Sequence, residues 1–453
     1  MNFFKKYLPH LLVMTLILIS FSSCQAQSKK IYELQLDYPD FGEIDFYMTF
    51  VSKTDSTFYA YTNPKTVYQT LPFYKKWYLQ LFGQGKKPGA VIQVPNGKRD
   101  GHNYSGKVAS YIGKFNFQAT INDKKMKGKL TQGEGELSFE GREVSKIKPI
   151  INYNSLGQTF QKTVSEKIYN PNILKRKDWK KFLRKMKKSF DKADDDLDIL
   201  LKFYSYQQNL KTSHVYLTKE DVMKTMASDH SQNIEFKKVN DNVSVMKVKS
   251  FELKDTTEVK KDIKDIKTPN LIIDIRDCPG GDFSSLLLAS HFIDKSYKVG
   301  YFLGQKYYEK GHNELPSKKY LNQQKPFTKG TLDDFFNIIE NKGILVGKVN
   351  PSPIHYGGNV YVLTNKNTAS AAEPFTYFMK DENIATIIGE NTAGIMLSAK
   401  GFNIYKEWWL TLPVANYYTM DNKHLDQVGV SPNIETESDK AMKKAKELIK
   451  KNN

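Results

Sequence analysis

A serine set between small residues is the first candidate for chemistry in this chain. Ser370 lies in the run Asn-Thr-Ala-Ser-Ala-Ala-Glu at 367–373, between a stretch that predicts a strand and one that predicts a helix. Free backbone N–H groups at a helix start can face negative charge developing on a substrate oxygen, which suits a nucleophile site. Serine and threonine are also ordinary helix-capping residues, so the segment alone leaves both roles open.

A pair of glycines follows another apolar strand. Gly280 and Gly281 come directly after the run Leu-Ile-Ile-Asp-Ile-Arg-Asp-Cys-Pro at 271–279. Glycines let backbone N–H groups approach a ligand closely, although a tight turn needs the same residues. Because Ser370 follows a second strand of the same predicted sheet, we expect the glycine pair and the serine to belong to one site.

Four motifs, in order, resemble the core of a known family. After the glycine and serine runs come Ile-Gly-Glu-Asn-Thr-Ala-Gly at 388–394 and Gly-Val-Ser-Pro-Asn-Ile at 429–434. Together they are similar to the tail-specific (C-terminal processing) serine peptidases and their relatives in the tricorn protease group. The resemblance covers roughly residues 170–440. It implies a crotonase-like αββ core behind a helical region, a protein or peptide substrate, and neither metal nor organic cofactor.

The resemblance also implies roles for single residues. Ser370 matches the nucleophile, and the N–H groups of Ala371 and of Gly280 or Gly281 match the oxyanion hole. In the processing branch a lysine follows the Thr-x-Gly of the third motif and acts as the base, but this chain has Ile395 there.

The tricorn-like branch instead uses a histidine preceded by a serine. Ser213 and His214 stand in the matching place, which implies His214 as general base and Ser213 in its relay. Imidazole titrates near neutral pH and accepts a proton without the desolvation that a lysine base requires. Lys400 is a weaker substitute, because it would need a different backbone path. Asp426 occupies the position of the branch's orienting glutamate, and a simple turn role for it stays open.

Four further polar residues near these motifs have structural interpretations. Glu373 is predicted to stabilise the first turn of the helix after Ser370. Asp274 and Arg276 are predicted to form a pair below the site. Cys278 is expected to be buried at a strand end, which argues against a thiol nucleophile.

The elements that must position these residues change along the chain. Alternating Tyr-, Phe- and Thr-rich stretches predict an antiparallel β module with a positioning or recognition role, and amphipathic helices follow it. Beyond Leu217, strands alternate with helices, and no PDZ domain fits before the core strand at 270–275. We therefore predict an α+β chain with a lipoprotein signal peptide at 1–23, a β module at 24–150, a helical region at 151–217, the peptidase core at 218–440 and a basic tail at 441–453.

The first residues predict export. Lys5 and Lys6 precede an apolar run, and the following Phe-Ser-Ser-Cys resembles a bacterial lipobox in which Cys24 is acylated. A plain signal peptide with an incidental cysteine is the alternative. We expect a lipid-anchored protein of the bacterial cell envelope, facing the periplasm or on the outer membrane. The net charge of +19 does not indicate nucleic acid, because the lysines are scattered and an exported chain rarely meets any.

Two functions from different classes are consistent with these motifs. The first is a serine endopeptidase acting on exported or envelope proteins. The second is a protein that binds an apolar ligand or a peptide without catalysis, because the interphotoreceptor retinoid-binding domains share this core and are not known as peptidases. Intact Ser370, His214 and paired glycines favour the enzyme.

Overall fold

The computed structural model of this 453-residue chain describes residues 28–39, 41–63, 92–110, 114–220, 233–252 and 257–452. The predicted signal peptide and Cys24 lie outside these residues. Among the helices described, none has both the length and the apolar character needed to cross a bilayer.

The described residues form two compact units. One unit extends to Tyr153 and includes Ser189–Ser205, and the other comprises Asn154–Lys188 and the residues from Tyr206 onward. The predicted helical region at 151–217 is thus shared between the two units. The domain boundaries given above stay a prediction.

The first unit contains a closed barrel of eight strands, each antiparallel to its neighbours. The strands are β1 (Lys29–Tyr38), β2 (Gly42–Ser52), β3 (Thr57–Thr62), β4 (Ile92–Asp100), β5 (Asn103–Ser110), β6 (Lys114–Asn122), β7 (Lys125–Gln132) and β8 (Gly135–Val144). Successive side chains of a strand point to opposite faces, so Phe117 and Ala119 of β6 are buried inside. Apolar side chains leave a cavity of only about 20 Å³. The predicted antiparallel β module is confirmed.

Buried aspartates join Ser189–Ser205 to the barrel. Asp196 accepts hydrogen bonds from the Tyr153 hydroxyl at 2.7 Å and from the Asp45 N–H at 3.2 Å. Asp195 accepts one from the Tyr47 N–H at 3.3 Å. Because buried polar groups need partners, these bonds explain why the segment belongs to the barrel unit.

Three α-helices follow the barrel in the chain. They are α1 (Tyr153–Lys167), α2 (Lys177–Phe190) and α3 (Asp196–Gln207), with a 3₁₀ helix at Pro171–Lys175 before α2. Trp179, Phe182 and Met186 of α2 recur at helical spacing and are buried. The apolar stripe predicted for this helix is therefore a packing face.

The second unit is built on two sheets joined by short helices. The first sheet has the order β10-β11-β12-β16-β17-β20 and is parallel except for β10, and the second has the order β14-β15-β13-β19-β18, with β9 paired to β19. The strands are β9 (Tyr216–Thr218), β10 (Ile234–Lys238), β11 (Val243–Val248), β12 (Asn270–Asp274), β13 (Tyr297–Gly304), β14 (Pro326–Phe327), β15 (Ile344–Val349), β16 (Asn359–Thr364), β17 (Ala385–Gly389), β18 (Leu397–Tyr405), β19 (Trp408–Tyr418) and β20 (Ile434–Glu435). The helices are α4 (Thr257–Asp265), α5 (Ser284–Ala289), α6 (Gln305–Glu309), α7 (Lys318–Gln323), α8 (Leu332–Lys342), α9 (Ala372–Asp381) and α10 (Ala441–Asn452), with a 3₁₀ helix at Ser290–Phe292.

Helices cover both faces of the first sheet. On one face, Val259 of α4 and Phe375 of α9 pack against Ile273 and Val362 of the central strands. Strands buried on both faces read as continuous apolar runs, which is why β12 and β16 could be recognised in the sequence. The prediction of a mixed α+β chain is confirmed.

The end of the chain covers the other face of this sheet. Ala441, Ala445 and Ile449 of α10 are buried against Ile272 and Leu363. The predicted basic tail is therefore a docked helix, because its small and apolar residues recur at helical spacing while its lysines point away from the sheet.

Candidate active site

Ser370 lies in the tight turn that connects β16 to α9. Its φ angle is 54°, in the left-handed region that residues other than glycine rarely adopt and that costs about 1–3 kcal/mol. Hydrogen bonds hold it there. The Ser370 N–H donates to the Ile395 carbonyl at 3.0 Å and to Glu373 Oε2 at 3.2 Å, and the Ser370 carbonyl accepts from the Glu373 N–H at 2.8 Å. These bonds use only the backbone of Ser370, so its half-buried hydroxyl stays available for chemistry.

The glycine turn after β12 packs directly on the serine turn. A Cβ atom on Gly280 would lie 2.6 Å from Ser370 Cβ and 2.7 Å from the Ala371 nitrogen, so only glycine fits. Within the described residues, the N–H groups of Gly281 and Ala371 donate no hydrogen bond. The structure thus brings together the predicted oxyanion residues Gly280, Gly281 and Ala371 beside Ser370, with free donors of the kind an oxyanion needs.

His214 belongs to a relay of three side chains. The Ser213 hydroxyl lies 2.8 Å from His214 Nδ1, and the Asp426 carboxylate accepts hydrogen bonds from both the hydroxyl and the N–H of Ser213. Because the single hydroxyl proton of Ser213 goes to Asp426, Nδ1 must carry a proton and donate to Ser213. The lone pair on Nε2 is then free to accept a proton.

Burial sets the charge of this relay. It lowers the pKa of His214 to about 4, so the ring is neutral at pH 7. Burial also raises the pKa of Asp426, and hydrogen bonds from Ser213 and from the Met396 N–H at 3.2 Å oppose that rise. His214 and Ser370 line the same cavity. The structure therefore brings Ser213, His214 and Asp426 together and places His214 on the cavity that also holds Ser370.

The N-terminus of α2 holds the segment that leads to His214. The Trp179 indole N–H donates to Thr212 Oγ1 at 3.0 Å. Asp178 accepts from the Lys211 N–H at 3.1 Å, and Arg176 donates to the Lys211 carbonyl at 2.9 Å. These hydrogen bonds hold Lys211 and Thr212 in place. His214 then adopts a φ of 56°, so it is a second residue at this site with a left-handed backbone conformation.

A family comparison identifies the part of the chain that carries this geometry. Residues 242–436 match the model of Peptidase family S41. This part of the chain is a peptidase S41 domain. Its class is that of the serine-type peptidases, so the predicted resemblance and the predicted enzyme class are confirmed. Ser370, the glycine turn and Asp426 lie inside the matched segment, whereas Ser213 and His214 precede it.

Several solved structures are similar to the chain. One is a putative peptidase from Parabacteroides merdae, with 15% identity, 67% of this chain and 97% of that chain covered, and a TM-score of 0.47. A lipoprotein from Streptococcus agalactiae has 13% identity, 68% and 100% coverage, and a TM-score of 0.45. The photosystem II D1 C-terminal processing protease has 12% identity, 64% and 94% coverage, and a TM-score of 0.40.

The sequence predicts only that Glu373 stabilises the first turn of a helix, but in the structure it accepts hydrogen bonds from several parts of the S41 domain. Its side chain is fully buried. Besides the Ser370 N–H, it accepts hydrogen bonds from the Thr392 hydroxyl at 2.6 Å, the Gly394 N–H at 2.8 Å and the Ile395 N–H at 2.9 Å. The N–H of the next residue, Met396, donates to Asp426. One short segment therefore links the carboxylate under the Ser370 turn to the carboxylate that accepts from Ser213.

We expect Glu373→Gln to lower kcat about 10- to 100-fold with little change in KM. An amide nitrogen cannot accept, so some of the N–H donors lose their partner and the serine turn shifts. Progress curves on a peptide substrate would measure the effect. The matched control is Glu382→Gln. Glu382 is exposed and directly follows the same helix, so this substitution should leave kcat unchanged. Wild-type kcat in a folded Glu373→Gln protein would show that the carboxylate does not position Ser370.

The residues at the two positions considered for a lysine base, 395 and 400, make other contacts. Ile395 contributes its backbone to the Glu373 network, and its side chain is exposed. Lys400 Nζ lies 2.8 Å from Glu340 Oε1 and 5.3 Å from the Phe336 ring centroid. Lys400 is also not among the residues that line the cavity holding Ser370.

Two structural interpretations from the sequence agree with the contacts in the S41 domain. Arg276 and Asp274 form a salt bridge of 2.7 Å. Cys278 is buried, and burial raises the pKa of its thiol to about 11, so the reactive thiolate is scarce. In the described part of the chain, no three His, Cys, Asp or Glu side chains are grouped so as to hold a metal ion.

Proposed function

We propose that the chain is a serine endopeptidase of exported or envelope proteins, in which Ser370 is the nucleophile and His214 the general base. One observation carries the proposal: both residues line one cavity, next to N–H groups of Gly281 and Ala371 that donate no hydrogen bond to any described residue. A predicted lipid anchor at Cys24 would hold the enzyme at the membrane, where such proteins pass. Nothing in this arrangement calls for a metal or an organic cofactor.

In the proposed mechanism, Ser370 Oγ attacks the carbonyl carbon of the scissile peptide while its proton moves to His214 Nε2. The new imidazolium donates through Nδ1–H to Ser213, and the negative charge of Asp426 stabilises it through that hydroxyl. The oxyanion accepts from the N–H groups of Ala371 and the glycine turn. His214 then protonates the leaving amine, which leaves an acyl-serine. Water attacks this ester with His214 again as base, and the free acid is released.

The pKa of His214 predicts an enzyme that tolerates acid. The folded value of about 4 lies below the ordinary value of 6.5, so the ring stays a neutral base between these values. We expect kcat/KM at about pH 5.5 to remain within about twofold of its value at pH 7, and to fall only near pH 4. A pH series of initial rates on an uncharged peptide would test this, and an acid limb near pH 6.5 would contradict it.

The same shift has a cost in stability. Because the unfolded chain binds a proton at His214 more readily than the folded chain, stability is lost as the pH falls from 6.5 towards 4. Circular dichroism at each pH is therefore the control for the rate series, since it separates loss of the folded state from protonation of the base.

Binding of an apolar ligand without catalysis is the second candidate, and the largely apolar lining of the cavity favours it. A fluorophosphonate probe distinguishes the two, because it reacts only with an activated serine. Labelling of the wild-type chain, mapped by mass spectrometry to Ser370, supports the peptidase. Absence of labelling in a well-folded chain, together with saturable binding of an apolar ligand, supports the alternative.

A further inference from the structure

We infer that the cavity beside Ser370 is a specificity pocket for one large apolar side chain, aromatic or leucine-like. The side chain belongs to the substrate residue whose carbonyl Ser370 attacks. This inference rests on the proposed function and adds the substrate class to it.

The cavity is continuous with the reacting groups. Its volume is about 300 Å³, which is at the lower end of the range of about 300–1,000 Å³ for ligand pockets. Ser370, Ala371, Gly281 and His214 belong to its lining. A peptide carbonyl held at Ser370 and these N–H groups therefore places its neighbouring side chain at the cavity.

Aromatic rings form much of the wall. The ring centroids of Phe302 and Phe335 are 5.0 Å apart, those of Phe283 and Phe335 5.4 Å, and those of Phe283 and Phe327 5.3 Å. All four line the cavity. Rings at such spacings favour a further aromatic or aliphatic group in edge or offset contact.

Two glycines on neighbouring strands shape the cavity. Gly300 of β13 pairs with Gly347 of β15, and both line the cavity. A Cβ on Gly300 would lie 2.5 Å from the Tyr417 ring, so this glycine lets the ring pack closely. Gly347 lies two residues after Leu345, another lining residue of the same strand, so its missing side chain leaves room on the cavity face.

The charges at the cavity disfavour an acidic occupant. No lysine or arginine is among its lining residues in the described chain, so an acidic side chain would lose water without gaining a cation. Of the two lining carboxylates, Asp282 already accepts from the Ser284 N–H at 2.8 Å and from the Ser284 hydroxyl at 2.5 Å, and Glu252 is engaged in a further interaction. Both bonds from Ser284 end on Oδ1 of Asp282 and leave its negative charge in place, so a basic side chain is the competing occupant.

Quenched peptides that differ only at one position test the inference. With Phe, Leu, Ala, Lys or Asp at that position, and the cut mapped by mass spectrometry, we expect kcat/KM for Phe and Leu to exceed that for Ala by at least about tenfold. The Asp peptide should be cleaved more slowly than the Ala peptide, and the Lys peptide more slowly than the Phe peptide. Equal rates, or a preference for Lys or Asp, would overturn the inference while leaving the peptidase intact. A folded wild type that cleaves none of the peptides would instead overturn the proposed function.

Two variants address the pocket itself. Gly347→Leu fills it, so the Phe:Ala ratio of kcat/KM should fall at least about threefold. Leu332→Asp adds a carboxylate at a lining residue that is 43% exposed, and should also lower the Phe preference. Leu315→Asp, at a leucine outside the lining that is 38% exposed, is its control. An unchanged Phe:Ala ratio in both pocket variants contradicts the inference.

Discussion

Replacing Ser370 with alanine is expected to lower kcat by at least about 10⁴-fold, to the background of the assay. The hydroxyl is the only group of this residue that would form the acyl intermediate, and no neighbouring group replaces it. The fold should survive, because the bonds that hold the turn come from the backbone of residue 370 and from Glu373. Release of peptides from an unstructured protein, followed by mass spectrometry, measures the loss.

Two controls make this result specific. Ser431→Ala removes an exposed serine of the same domain and should leave kcat unchanged. The thermal midpoint of Ser370→Ala should stay within about 4 °C of the wild type, the shift that about 1 kcal/mol produces in a domain of this size. A folded Ser370→Ala chain that still cleaves at more than about a tenth of the wild-type rate would eliminate Ser370 as nucleophile.

The second large effect separates the two possible bases. His214→Ala is expected to lower kcat about 10²- to 10⁴-fold, because the serine proton then has no acceptor. Lys400→Ala should change kcat by less than about threefold, since its Nζ is engaged by Glu340 at 2.8 Å. Initial rates of the two purified variants, at a pH where the wild type is fully active, give the comparison.

Folding must be checked for the histidine variant in particular. His214 is held in a strained conformation beside Ser213, so circular dichroism should accompany the rates. If Lys400→Ala abolishes cleavage and a folded His214→Ala does not, the relay through Ser213 and Asp426 is not the catalytic one, and the lysine branch of the family applies.

Local patterns in the sequence determined much of this protein. The apolar runs of β12 and β16, the glycine pair at 280–281 and the boxed Ser370 are short-range features, because strand periodicity and turn chemistry act over a few residues. The alternation of strands and helices predicted the α+β fold, and the resemblance of the ordered motifs to a known family implied the peptidase class; both are confirmed.

The tertiary structure alone decided what these residues contact. Glu373 looked like a helix first-turn residue, yet three of its four donors come from residues 392–395. Asp426 reaches His214 through Ser213, more than two hundred residues away in the chain. The pocket beside Ser370 arises where β13, β15 and α8 meet. No local pattern records such contacts, because they depend on which strands the fold places side by side.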